Sequence, residues 1–114
     1  MVISRGEVWW VDFGDPIGSG PGYVRPAVIV SSDAFNRSAI ATAVVVPLTS
    51  NLRHANLVGG VFIQSKGTGL PKPSVANATQ IFTVDRAQLI ENSGVVTRSE
   101  SEGIDHALRL VLQL

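Results

Sequence analysis

GYVRPAVIVSSD, residues 22–33, is the stretch on which the fold turns. Ala27, Val28, Ile29 and Val30 form an unbroken apolar run, the pattern of a buried strand. Arg25 and Pro26 open it, where a purely structural strand would carry further apolar residues. Proline has no N–H for a ladder and holds the residue before it in extended geometry. Arg25 is therefore presented at a strand opening, directly after GDPIGSGPG, residues 14–22, which glycine and proline mark as a loop. Two readings of Arg25 stand at this point. It is a strand-end arginine, solvated or paired with a carboxylate, or a planar guanidinium held for an anion such as a phosphodiester.

Upstream, EVWWVDF (7–13) reads as a strand with Trp9 and Trp10 on opposite faces. At least one of them is then open to exposure, where it packs under the barrel rim, stacks on a base or covers a partner subunit. The loop at 14–22 has no bulky side chain except Ile17, so a movable flap is expected. Downstream, AIATAVVVPL (39–48) reads as a second apolar strand, with Pro47 marking its end, an edge or a bulge. LVGGVFIQ (57–64) reads as a strand bent at its glycine pair, followed by the loop KGTGLPKP. SVANATQIFTVD (74–85) alternates as one strand, and a short β segment is expected at residues 94–96. The period then changes. Ser99 and Glu102 have capping-box spacing, and Ile104, Ala107, Leu108 and Val111 recur on one helical face that Leu112 broadens. The sum is a mainly β chain of five or six short strands: a small, strongly bent barrel with a C-terminal helix packed on it, in one domain spanning 1–114.

With 114 residues, 45% of them hydrophobic, the chain suffices for one core. Nine basic and nine acidic residues cancel, but unevenly: Arg25, Arg37, Arg53, Lys66 and Lys72 face only Asp33 between residues 20 and 76. That asymmetry allows a local polyanion site without a general nucleic-acid coat. The absence of cysteine excludes disulfides and thiolate chemistry. His54 and His106 have no zinc-motif spacing, and neither glycine-rich loop has a nucleotide-binding fingerprint, so no metal or cofactor is expected. The N-terminal MVISRGEVWW does not read as a signal peptide, and no apolar run is long enough to span a bilayer. A cytoplasmic protein with no membrane partner is expected. Asp12 and Asp15 read as solvated turn residues, and His54, between polar neighbours, as an exposed loop histidine. Thr49, Ser50 and Asn51 follow the second apolar run as Ser31 and Ser32 follow the first; such side chains orient a phosphate or cap a turn.

Taken together, RGEVWWVDF, the GS of the first loop with RPAVIVSSD, VVVPLTSN and SVANATQIFTVDR resemble, in that order, the MazF/PemK family of toxin ribonucleases from toxin–antitoxin modules. The likeness runs from about residue 5 into the terminal helix. It implies an SH3-like barrel with short helical insertions, a homodimer, and metal-independent cutting of single-stranded RNA by attack of a ribose 2′-hydroxyl. The family's catalytic arginine falls on Arg25 and its catalytic hydroxyl on Thr49. RNA contacts are expected from Ser19, Gly20, Ser31, Ser50, Asn51, Arg53, Lys72 and Gln80. The implied protein partner is an antitoxin whose acidic, disordered C-terminal segment lies in the RNA groove. Two departures stand out: Gly20 and Thr79 occupy positions where the family commonly has acidic residues. Alternatives are a gyrase-binding toxin of the same fold, or a catalytically weakened module that binds RNA or antitoxin.

Overall fold

A computed structural model of the chain describes all of residues 1–114. Its strands are β1 (Glu7–Asp12), β2 (Val24–Ile29), β3 (Thr42–Thr49), β4 (Gly60–Ile63), β5 (Ser74–Asn77), β6 (Phe82–Asp85) and β7 (Leu89–Val95). A short helix α1 (Asp33–Arg37) follows β2, a long helix α2 (Arg98–Leu112) ends the chain, and 3-10 turns occupy Leu52–Asn56 and Arg86–Gln88. The strands form one antiparallel sheet in the order β4-β5-β3-β2-β1-β7, with β6 added against β3. This is the mainly β fold with short helical insertions that the sequence leads one to expect.

The eight-residue β3 organises the sheet. On one side, Val45–Pro47 pairs with β2. On the other, Thr42–Val45 pairs with β6, and Leu48–Thr49 pairs with β5. Val46 and Pro47 fall in the gap between those two partners. A residue without an N–H is tolerated there, which is why Pro47 lies inside the strand rather than ending it. The change of partner bends the sheet over two cores. One gathers Trp9, Val11, Ala27, Ile29, Val45 and Val84. The other gathers Val8, Val28, Val46, Leu48, Ile63 and Ile104, the last brought by α2.

Three features differ from the sequence reading. Residues 74–85 form two strands rather than one, because the Asn77 Oδ1 accepts both the backbone N–H (3.1 Å) and the hydroxyl (2.5 Å) of Thr79, an Asx turn that breaks the run. β7 begins at Leu89, not near residue 94; its pairing with β1 shifts register twice, so its residues do not alternate cleanly. The helix cap is Thr97, two residues before Ser99. TRSESE offers two capping boxes, and the one used is Thr97 with Glu100: Thr97 Oγ1 accepts from the Glu100 N–H at 3.1 Å and the Thr97 N–H donates to Glu100 Oε1 at 2.9 Å. Glu100 Oε2 also accepts from the Gln64 N–H at 2.7 Å, tying the helix start to the end of β4. Ile104 and Ala107 are buried and Leu108 packs on the second core, as the periodicity predicts, but Leu112 is 50% exposed.

The cap assignment is tested by urea denaturation. Thr97→Ala should lower stability by about 1 kcal/mol, whereas Ser99→Ala, inside the first turn, should change it by no more than about 0.5 kcal/mol.

Candidate functional site

The antiparallel register of β2 and β3 sets Ala27 opposite Pro47. Carried two residues further, it sets Arg25 opposite Thr49 on the same face of the sheet. The paired ladder of β2 and β3 stops short of that point, at Ala27 and Pro47. The opening left between β2 and the end of β3 is the candidate site. Two depressions flank it, of about 190 Å³ and about 130 Å³, and Arg25, Leu48 and Thr49 belong to the walls of both.

The larger depression is completed by Trp10, Pro26 and Ser50, and by Leu70, Pro71, Lys72, Pro73 and Ser74 from the segment leading into β5. The two tryptophans divide as their alternation requires. Trp9 is 8% exposed in the first core, its indole N–H donating to Glu7 Oε1 at 3.1 Å, whereas Trp10 faces the depression. An aromatic ring beside Lys72 and two prolines is a surface on which a base can stack. The smaller depression adds Ser19, Pro47, His54, Asn77 and Gln80.

No aspartate or glutamate lines either depression, while Arg25 and Lys72 do. The chain's two salt bridges, Arg5 with Asp105 and Arg98 with Glu102, leave Arg25 without a carboxylate partner. Pairing with a carboxylate is therefore excluded, which leaves a solvated strand-end arginine or one held for an anion. What remains is a half-buried, unpaired guanidinium beside a hydroxyl. Thr49 Oγ1 accepts from the Asn51 N–H at 3.2 Å, which orients the oxygen and leaves its hydrogen free to donate. A guanidinium and a hydroxyl so placed can grip an anion.

The loop before β2 is less free than its composition suggests. Its base is zipped by Phe13 N–H to Tyr23 O at 2.9 Å and by an edge-to-face contact of Phe13 with Phe82. Its tip is tied to the site by Gln80 Nε2, which donates to Ser19 O at 2.6 Å.

Arg25, Thr49, Ser19, Ser50, Lys72 and Gln80 thus come together. Four other candidates do not join them. Ser31 is buried at the far end of β2, where its hydroxyl donates to Asn36 Oδ1 at 2.6 Å and accepts from Val44 N–H; it anchors α1. The Asn51 side chain caps the 3-10 turn through the Arg53 N–H at 3.2 Å, and Arg53 itself is exposed on that turn. The Gly20 N–H closes a turn onto Ile17 O at 3.0 Å, and a Cβ there would sit 3.1 Å from the same oxygen. Conversely, His54 is half-buried on the smaller depression rather than exposed in a loop. Asn77 also lines it, and was legible only as part of a strand.

Residues 4–112 match the family model described as PemK-like, MazF-like toxin of type II toxin-antitoxin system. The chain belongs to that family. Over its full length it is 41% identical to the endoribonuclease MazF6 of Mycobacterium tuberculosis, covering all of that protein. It is 32% identical over 114 residues to the endoribonuclease EndoA of Bacillus subtilis, covering 97% of it. Among solved structures, a mycobacterial endoribonuclease in complex with its cognate antitoxin aligns over 98% of this chain and 96% of its own, at 29% identity and a TM-score of 0.80. MazF of Deinococcus radiodurans aligns over 100% of this chain and 99% of its own with a TM-score of 0.84; at 21% identity it speaks to the shared MazF fold.

The tie from Gln80 to the flap is open to test. Gln80→Ala should cost about 1 kcal/mol or less, yet speed thermolysin cleavage at Ile17, which is 89% exposed at the loop tip. Mass spectrometry of a limited digest reads the difference.

Proposed function

We propose that this MazF-family chain is an endoribonuclease toxin that cuts single-stranded RNA without a metal and thereby inhibits translation and growth. The observation that carries this reading is the unpaired Arg25 guanidinium facing Thr49 at the junction of two carboxylate-free depressions. The endoribonuclease relatives that match over the whole chain support it.

In the reaction, a ribose 2′-hydroxyl attacks the adjacent phosphorus and the bond from phosphorus to the 5′-oxygen breaks. The products are a 2′,3′-cyclic phosphate and a 5′-hydroxyl. The proton released from the 2′-oxygen and the one taken up by the 5′-oxygen exchange with solvent. Arg25 stabilises the negative charge that builds on the phosphorane, and Thr49 donates to a phosphoryl oxygen. Because the nucleophile belongs to the RNA, DNA is not a substrate. Lys72 and Trp10 hold neighbouring nucleotides by charge and stacking.

An acidic, disordered antitoxin segment is the protein partner of the same groove, since it imitates the polyanion it excludes. A solved mycobacterial relative bound to its cognate antitoxin supports that partner. A cytoplasmic homodimer completes the reading; no helix is long and apolar enough to cross a membrane.

The test is cleavage of a diverse single-stranded RNA pool in EDTA, with the ends mapped. Cutting should persist without divalent metal. Arg25→Ala and Thr49→Ala should each reduce it by about a hundredfold or more while circular dichroism shows the fold retained. Intact RNA throughout would overturn the assignment. An acidic peptide should compete with RNA, and less effectively as salt rises.

A further inference from the structure

The smaller depression carries hydrogen-bonding groups whose sense is fixed by the contacts they already make. Asn77 Oδ1 accepts from the Thr79 backbone N–H, so the oxygen is identified and the outward amide group is Nδ2, two donors with no partner in the protein. Gln80 Nε2 donates to Ser19 O, so Oε1 is the group left over, an acceptor without a partner. His54 Nδ1 is sealed from solvent and has no hydrogen-bond partner. An orphaned buried N–H is rarer than an orphaned acceptor, so the ring carries its proton on Nε2, the nitrogen that is not sealed. The depression therefore offers donors at His54 and Asn77 and an acceptor at Gln80. The Ser19 hydroxyl serves in either sense and does not discriminate.

The frame that holds these groups is rigid. His54 N–H donates to Asn51 O at 3.2 Å and its carbonyl accepts from Leu57 N–H at 3.1 Å. Gly60 packs so closely that a Cβ there would lie 2.0 Å from the His54 carbonyl oxygen. Asn77 and Gln80 sit on either side of the Asx turn, with Gln80 N–H donating to Asn77 O at 3.1 Å.

We propose that this depression is a pyrimidine subsite beside the scissile phosphate, read by His54, Asn77 and Gln80. Two donor groups and one acceptor group complement a base edge with two acceptors and one donor group. Uracil and cytosine each count two acceptors and one donor group there, uracil as O2, N3–H and O4, cytosine as O2, N3 and the amino group at C4, so they share the count but not its order along the edge. Adenine offers one acceptor and one donor on its pairing edge, and guanine one acceptor and two donors, which would leave protein groups buried without partners. The subsite shares Arg25 and Thr49 with the place where the phosphate is held, so the base it takes is adjacent to the cut. This inference deepens the nuclease reading and rests on it.

The experiment profiles single-turnover cutting of a randomised single-stranded RNA library by the wild type, His54→Ala and Asn77→Asp. Asn77→Asp retains Oδ1 for the turn and replaces the donor by an acceptor. The wild type should prefer uracil and cytosine over purines by about tenfold or more at one position next to the cut. Each variant should erase most of that preference while leaving the preferences at other positions in place. The absence of any pyrimidine preference would overturn the subsite. So would its persistence in both variants, or a uniform slowing on every sequence. Fluorescence-polarisation binding of short uridine, cytidine and adenosine oligonucleotides runs in parallel and separates the two claims. An inert wild type that still binds pyrimidine oligonucleotides through His54 and Asn77 would remove the nuclease reading and keep the subsite. Cutting with equal binding of all three oligonucleotides would do the reverse.

Discussion

The constraint on which the rest depends is the divided pairing of β3. One strand serves β2 on one side and both β6 and β5 on the other, and the handover occurs at Val46 and Pro47. Had β3 stayed with β2 to its end, Arg25 and Thr49 would face each other across a closed ladder with no room for a ligand. Because β3 departs, the register that aligns them persists while the strands separate. A proline in the strand, ordinarily disruptive, is compatible with this because no partner on the second side needs its N–H. The same departure lets the segment carrying Lys72 and the 3-10 turn carrying His54 close the two depressions from opposite sides.

Electrostatics then does with few charges what a basic protein does with many. The chain is neutral overall, and a count of charges says little about its ligand. What matters is that neither depression has a carboxylate in its wall, so Arg25 is not neutralised from within. An unpaired, partly desolvated guanidinium is costly until an anion arrives, and that cost is recovered on binding. It also explains why RNA and an acidic peptide would compete for one groove: both supply the missing negative charge.

Much of this was legible in the sequence, and unevenly so. The strands around GYVRPAVIVSSD and VVVPLT could be read because apolar runs bounded by loop residues have few alternatives. Arg25 was conspicuous because it broke such a run. The helix face was legible from its period, but not its first residue, since TRSESE offers two equivalent caps and only the reach of Glu100 to Gln64 chooses between them. β7 escaped notice because register shifts scramble alternation. Ser31 and Thr49 look alike in sequence, each a hydroxyl after an apolar run. Their fates differ because Ser31 lies just past β2, bonded to Asn36 and Val44, while Thr49 ends β3 at the two open depressions. No property of the residue itself carries that difference.

The least legible part is the wall made by His54 and Asn77, and the reason is instructive. Each belongs to a local turn, and each turn spends one polar group on itself: the Asn51 cap before His54, the Asn77 oxygen within its own Asx turn. Sequence alone reads Asn77 as one position of a strand and His54 as an exposed loop residue, and neither reading shows the groups that the turns leave over. The group at His54 becomes available only because Gly60 admits the His54 backbone at a distance no side chain would allow, bringing the 3-10 turn against β4 and beside β5. The direction in which Asn77 offers hydrogen bonds is therefore set by its turn and that of His54 by the sealing of Nδ1, and the place where His54 offers them is set by a glycine. The Arg25–Thr49 pair depends on neither. Base preference in this fold can accordingly drift through the turns while the Arg25–Thr49 register, fixed by the sheet, stays as it is.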